Sequence, residues 1–108
     1  MPSESTPEPD ARAWIEVDLG ALLRNARALA AHARVPLVPM VKADAYGHGL
    51  VPCAVAAREA GAAWLGVALP EEALALREAG VDGRILTWLL VPESPLDACI
   101  AHDVDITV

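Results

Sequence analysis

Apolar and polar positions alternate along Trp14-Ile15-Glu16-Val17-Asp18, the period-2 pattern of a half-buried strand. From Leu19 to Ala33 the period lengthens. Leu22, Leu23, Ala26, Leu29 and Ala30 fall on one face at helical spacing, Asp18 is placed to cap the start, and Pro36 ends the region. Four short apolar runs follow: Leu37–Val41, Trp64–Ala68, Ile85–Leu90 and Val104–Val108. Their length fits strands buried on both faces. Between them the pattern predicts helices over Pro52–Ala60, from Pro70 up to Gly80, and from about Pro95 to Ala101. Pro70 suits a first helical position, and Glu71 and Glu72 suit the positive end of a helix dipole.

One short segment repeats. Arg58-Glu59-Ala60-Gly61 returns as Arg77-Glu78-Ala79-Gly80, each time closing a helix and leading into an apolar run. The echo reads as a repeating βα unit, and successive units of this kind build a parallel sheet, doubly wound or closed into a barrel. A (β/α)8 barrel takes roughly 200 residues or more. The 108 residues here would hold about half of one. An edge left open after the fourth run would expose unpaired backbone, so a piece of a longer protein, or a chain that depends on a partner, is expected.

Composition narrows the classes. The chain is 55% hydrophobic, yet no run approaches the roughly 20 apolar residues that span a bilayer. Residues 1–10, MPSESTPEPD, read as a disordered tail with neither the basic start nor the apolar core of a secretory signal. Residues 11–108 are expected to form one incomplete folded domain. A cytoplasmic protein with no membrane partner is expected. The formal net charge of −7 argues against nucleic acid, whose phosphates need a basic footprint. Cys53 and Cys99 are isolated thiols, which fits a reducing compartment without a disulfide framework. His32, His48 and His102 lack metal-ligand spacing, and no metal is expected.

The candidate chemistry lies in Val41-Lys42-Ala43-Asp44-Ala45-Tyr46-Gly47-His48-Gly49. Lys42 ends a run expected in a sheet interior. An ammonium in apolar surroundings has a lowered pKa, and the neutral amine it releases is the form that reacts with aldehydes. The C-terminal end of a parallel strand is where α/β folds place active sites. Gly47 and Gly49 permit positive φ or close backbone approach, and Tyr46 offers a phenol to a phosphate oxygen. Each feature also has a plain structural reading: a lysine reaching solvent, a surface tyrosine, a turn, a hydrogen-bonded histidine. Composition and periodicity stop at a lysine-centred site in a βα protein.

These nine residues, VKADAYGHG, resemble the pyridoxal-phosphate attachment motif of alanine racemases, with no departure from the family pattern among them. The flanks agree: Trp14–Leu19 resembles the family's opening segment, and Glu71–Gly80 its second barrel helix. The resemblance implies the N-terminal part of a fold-type III barrel, about the first four βα units, preceded by one strand and one helix. It implies pyridoxal 5'-phosphate as cofactor, held covalently by Lys42, which would also act as one acid/base group at the α-carbon. Tyr46 would hydrogen-bond the cofactor phosphate. On the third strand, Trp88 stands where the family has an apolar residue against the cofactor. A tryptophan is larger than usual there, and a core aromatic is an equal reading.

The implied reaction interconverts L-alanine and D-alanine, the latter for peptidoglycan, in a homodimer whose active sites are shared across subunits. The family's second base is a tyrosine from the partner's second domain. Tyr46 is the only tyrosine here, so the chain is expected to be inactive alone. Other implied readings are a broader-specificity racemase, an amino-acid decarboxylase and a non-catalytic pyridoxal-phosphate carrier of the same fold.

Overall fold

The computed structural model describes residues 11–108; the tail expected over 1–10 lies outside them. The chain runs α1 (Leu19–Ala33), a short turn α2 (Lys42–Tyr46), α3 (Leu50–Glu59), β1 (Trp64–Val67), α4 (Pro70–Glu78), β2 (Arg84–Thr87), α5 (Leu96–Ala101) and β3 (Val104–Ile106). The strands form one parallel sheet in the order β1-β2-β3. Met40 adds a parallel bridge to Gly66 at the β1 edge. The partial parallel barrel read from the sequence is therefore present, with four successive parallel segments and a helix between each pair.

Two expected strands are corrected. Trp14–Asp18 forms no strand: Trp14 and Ile15 are exposed, and the Trp14 indole donates to Glu16 at 3.2 Å. Among the described residues no neighbouring segment offers that backbone a ladder. Leu37–Val41 shrinks to the single bridge, with Gly66 N–H donating to Pro39 O and Val41 N–H to Gly66 O, both at 2.9 Å. Pro36 and Pro39 lack the N–H groups that a longer ladder needs.

Side-chain alternation gives the sheet two unlike faces. Leu65, Ile85 and Val104 are cross-strand partners on one face, as are Val67, Thr87 and Ile106. This face packs against Ala54 and Ala57 of α3, Ala73 and Leu76 of α4, and Cys99 of α5, and it forms the core. The other face carries the row Met40, Gly66, Leu86 and Asp105. Gly66 leaves room there for the Met40 side chain. A Cβ at this position would collide with Met40 Sδ and lie 3.3 Å from Trp88 Cζ3. At the foot of the same face the Arg84 guanidinium lies 4.1 Å from the Trp64 ring and pairs with Asp105 at 3.2 Å.

The repeated tetrapeptide has a clear structural cause. Arg58 donates to the carbonyls of Ala62, Asp82 and Arg84 at 2.9, 3.0 and 2.7 Å. Arg77 donates to those of Val81, His102 and Asp103 at 2.9, 2.8 and 3.0 Å. Each guanidinium thus ties the end of its own helix to the loop entering the next strand or the strand after it. Gly61 and Gly80 follow with φ of 99° and 86°, the left-handed turn that a helix end favours. Burial pulls the Arg58 guanidinium below its ordinary pKa, and the positive charge of Arg77 acts in the same direction.

Helix α1 starts where expected, with Asp18 Oδ1 accepting the Ala21 N–H at 2.9 Å. It packs on α3, and Arg27 reaches the Glu59 carbonyl at 3.4 Å. No described helix is long and apolar enough to cross a membrane.

Candidate functional site

The peptide after Val41 turns the wrong way for an ordinary helix. Ala43, Asp44, Ala45 and Tyr46 have φ of 52°, 57°, 52° and 57°, a left-handed turn made without glycine. Each such residue costs roughly 1–2 kcal/mol relative to the right-handed form. Strain of that size persists only where the surroundings over-determine it. Here they do so through hydrogen bonds. Ala45 N–H donates to Val41 O at 2.9 Å, and the Asp44 carbonyl accepts from Gly47 and Gly49 at 3.0 and 2.9 Å. The Asp44 carboxylate accepts from Leu50 N–H at 2.8 Å and so caps α3. Ala43 N–H donates to Glu72 Oε2 at 2.7 Å. Gly47 and Gly49, with φ of 89° and 102°, carry the chain out of the turn as the sequence suggested.

The turn brings Lys42 and Tyr46 together. Lys42 Nζ lies 5.0 Å from the centre of the Tyr46 ring, within reach of a cation–π contact. Lys42 is half-buried and Tyr46 is 63% exposed. The amine is therefore not sealed in the sheet interior, as the run before it suggested. It stands at the C-terminal rim of the parallel segments, facing a phenol. It is also the only lysine in the chain, a fact that makes any amine chemistry outside the N-terminus traceable to one atom.

Trp88 does not join that pair directly. It follows β2, is half-buried, and its ring edge borders the space above Gly66, as the Met40 thioether also does. His48 is exposed, and its Nδ1 lies 2.9 Å from the Ala45 carbonyl, an arrangement that requires Nδ1 to carry the proton and braces the turn.

A cleft of about 520 Å³ lies behind the turn, between α1 and α3, with Leu22, Ala26, Val41, Cys53 and Ala57 among its walls. Tyr46 and His48 border it but Lys42 does not, so it is not the lysine's own site. Cys53 and Cys99 are buried and unpaired. Burial pushes both thiols above their ordinary pKa, with Asp44 adding to the effect at Cys53 and Glu71 at Cys99. A thiolate nucleophile is disfavoured at either position.

Sequence reasoning missed Glu72 as a partner of the lysine turn. It registered only the favourable charge at the start of α4.

Residues 17–108 match the family described as the N-terminal domain of alanine racemase. The alanine racemase of Beutenbergia cavernae is 54% identical over 93 residues, covering 85% of this chain and 25% of the relative. That of Streptomyces coelicolor is 50% identical over 115 residues, covering 98% of this chain and 29% of the relative. The crystal structure of alanine racemase from D-cycloserine-producing Streptomyces lavendulae superposes with a TM-score of 0.83 at 56% identity, over 85% of this chain and 24% of that one. The Bacillus anthracis enzyme, solved with bound L-Ala-P, gives a TM-score of 0.75 at 42% identity. The chain spans about a quarter of the length of these relatives.

Proposed function

The chain belongs to the family of alanine racemase N-terminal domains, and from that premise we propose that it forms the cofactor-holding part of a pyridoxal-phosphate-dependent alanine racemase. The full enzyme would interconvert L- and D-alanine in the cytoplasm and supply D-alanine for peptidoglycan. It would work as a homodimer whose partner completes each site.

The observation that carries this reading is the pairing of the chain's sole lysine with Tyr46 on one strained turn, at the rim where parallel α/β folds hold their ligands. The residues fit such a cofactor by their chemistry. Lys42 offers an amine to an aldehyde, and Tyr46 offers a phenol to a phosphate. Among the described residues neither the Lys42 amine nor the Tyr46 hydroxyl is consumed by a protein hydrogen bond or ion pair. When bound, pyridoxal phosphate supplies a ring that delocalises the charge developing as an α-proton leaves.

Lys42 would anchor the cofactor and, once displaced by the substrate amine, move a proton at one face of the α-carbon. A second base must serve the opposite face. The resemblance implies a tyrosine for that role, and Tyr46, the only tyrosine here, is engaged with the phosphate in this reading, so that base would come from outside these residues. Trp88 and Met40 would form an apolar wall on the inner face of the sheet.

The test is turnover. A full-length protein carrying these residues should convert L-alanine to D-alanine only when supplied with pyridoxal phosphate. The 108-residue chain, freed of host enzyme, should show none. Failure of the full-length protein to racemise alanine refutes the reading. Tyr46→Phe should weaken pyridoxal-phosphate binding roughly tenfold, since a hydrogen bond to a charged group contributes about 1.5 kcal/mol at an exposed site. Binding of pyridoxal, which lacks the phosphate, should not change. Equilibrium titration of the two aldehydes checks this.

A further inference from the structure

The Glu72 carboxylate is placed to do more than start a helix. Its Oε1 accepts the Leu69 N–H at 2.9 Å, reaching back over the head of α4, where leucine has no side-chain oxygen to cap the helix. A helix cap needs only that oxygen. The other, Oε2, accepts the Ala43 N–H at 2.7 Å, across 29 positions of sequence. The short distance is typical of a bond to a charged acceptor.

That N–H belongs to the peptide joining Lys42 to Ala43. Fixing its plane fixes ψ of Lys42, and with it the angle between the lysine and the left-handed turn that follows. The same bond sits at the first residue of the strained run, where the chain leaves ordinary backbone geometry. The carboxylate is anchored by Leu69, just past the end of β1, on the helix of the following βα unit. The lysine is thereby held by a neighbouring unit of the sheet as well as by its own loop.

We propose that Glu72 is a positioning residue for Lys42, holding the Lys42–Ala43 peptide so that the amine presents itself at the rim. The proposal rests on the reading of Lys42 as the cofactor anchor. The chemistry asks for a carboxylate. Two N–H donors converge on two oxygens, and a glutamine can satisfy only one of them because its amide nitrogen is itself a donor.

The test compares wild type, Glu72→Gln, Glu72→Asp and the control Glu71→Gln, each mixed with pyridoxal phosphate and trapped with borohydride over a range of pH. Adduct at Lys42 is read by peptide mass spectrometry, and exchange of the Ala43 amide by NMR. Glu72→Gln should form the adduct at least tenfold more slowly at every pH, with the midpoint of the pH profile unmoved and the Ala43 amide exchanging faster. Glu72→Asp keeps the charge at the head of α4 but is one methylene too short to span both donors. It should show the same slowing, and it serves if Glu72→Gln does not fold. Glu71→Gln should stay within twofold of wild type. A merely structural role lowers the melting temperature but leaves the adduct rate of folded protein unchanged. That result, or a rate within twofold of wild type in the folded Glu72 variants, overturns the proposal. No adduct at Lys42 in wild type refutes the anchor reading instead. Glu72 is then judged by amide exchange alone, and Ala43 exchange equal in wild type and variant overturns its hold on the peptide.

Discussion

Lys42→Arg is expected to abolish borohydride-fixable attachment of pyridoxal phosphate while leaving the fold in place. Arginine keeps the positive charge and its contact with the Tyr46 ring, which lies 5.0 Å from the amine. It cannot release a neutral nitrogen, because a guanidinium does not deprotonate in proteins. Electrostatics and packing are thus held nearly constant while the nucleophile is removed. In a full-length protein carrying these residues, racemase turnover should fall by at least a hundredfold, since a positioned acid/base group alone contributes about 10²–10⁴. Denaturant midpoints of the two proteins should agree, since Lys42 is half-buried and makes no hydrogen bond or ion pair among the described residues. Turnover retained in Lys42→Arg would assign the chemistry to another group.

The second large effect is on stability. Arg77→Ala removes one guanidinium that ties the end of α4 to two carbonyls at the entry to β3. Hydrogen bonds to charged groups contribute about 1.5–3 kcal/mol each where buried. The His102 and Asp103 carbonyls belong to exposed residues and recover some loss from water, whereas Val81 is buried. A net loss of about 2–4 kcal/mol is expected, measured as a shift in urea midpoint at constant slope. Arg77→Lys should recover little of it, because an ammonium is a point donor and cannot span three carbonyls as a planar fork does. A change below about 0.5 kcal/mol would mean that the repeat is a coincidence of sequence rather than a device of the fold.

That repeat is also where the sequence was most informative. Arg58-Glu59-Ala60-Gly61 and its echo mark two equivalent helix ends because one physical problem, joining a helix to the next parallel strand, is solved twice by the same residues. Pro70 and the acids after it located the start of α4 for equally local reasons. Apolar runs located β1, β2 and β3 but overran their assigned ends, since the chain stays apolar past Val67 and Thr87 into Ala68 and Trp88. Strand pairing was less legible. Whether Trp14–Asp18 or Leu37–Val41 forms a ladder depends on an available neighbour and on free N–H groups, neither of which alternation encodes.

At the site, Lys42, Tyr46 and the two glycines were visible as a motif. The four-residue left-handed turn was not, because alanine and tyrosine disfavour that region and aspartate visits it only as a single residue, not in a run. It is held by bonds within residues 41–50 and by one long-range bond, from Ala43 to Glu72. That Trp88 and Met40 both border the space above Gly66 could be seen only in three dimensions.

The central claim is that Lys42 is the point of cofactor attachment, and one peptide map tests it most directly. The protein is incubated with pyridoxal phosphate, reduced with borohydride, digested and sequenced by mass spectrometry. Because the chain has a single lysine, the competing amine is the N-terminus. The account predicts the phosphopyridoxyl group on Lys42 at near one equivalent, suppressed by unfolding the protein before the cofactor is added. Folded protein that carries the label only at its N-terminus, or labels Lys42 equally well when unfolded, would contradict it.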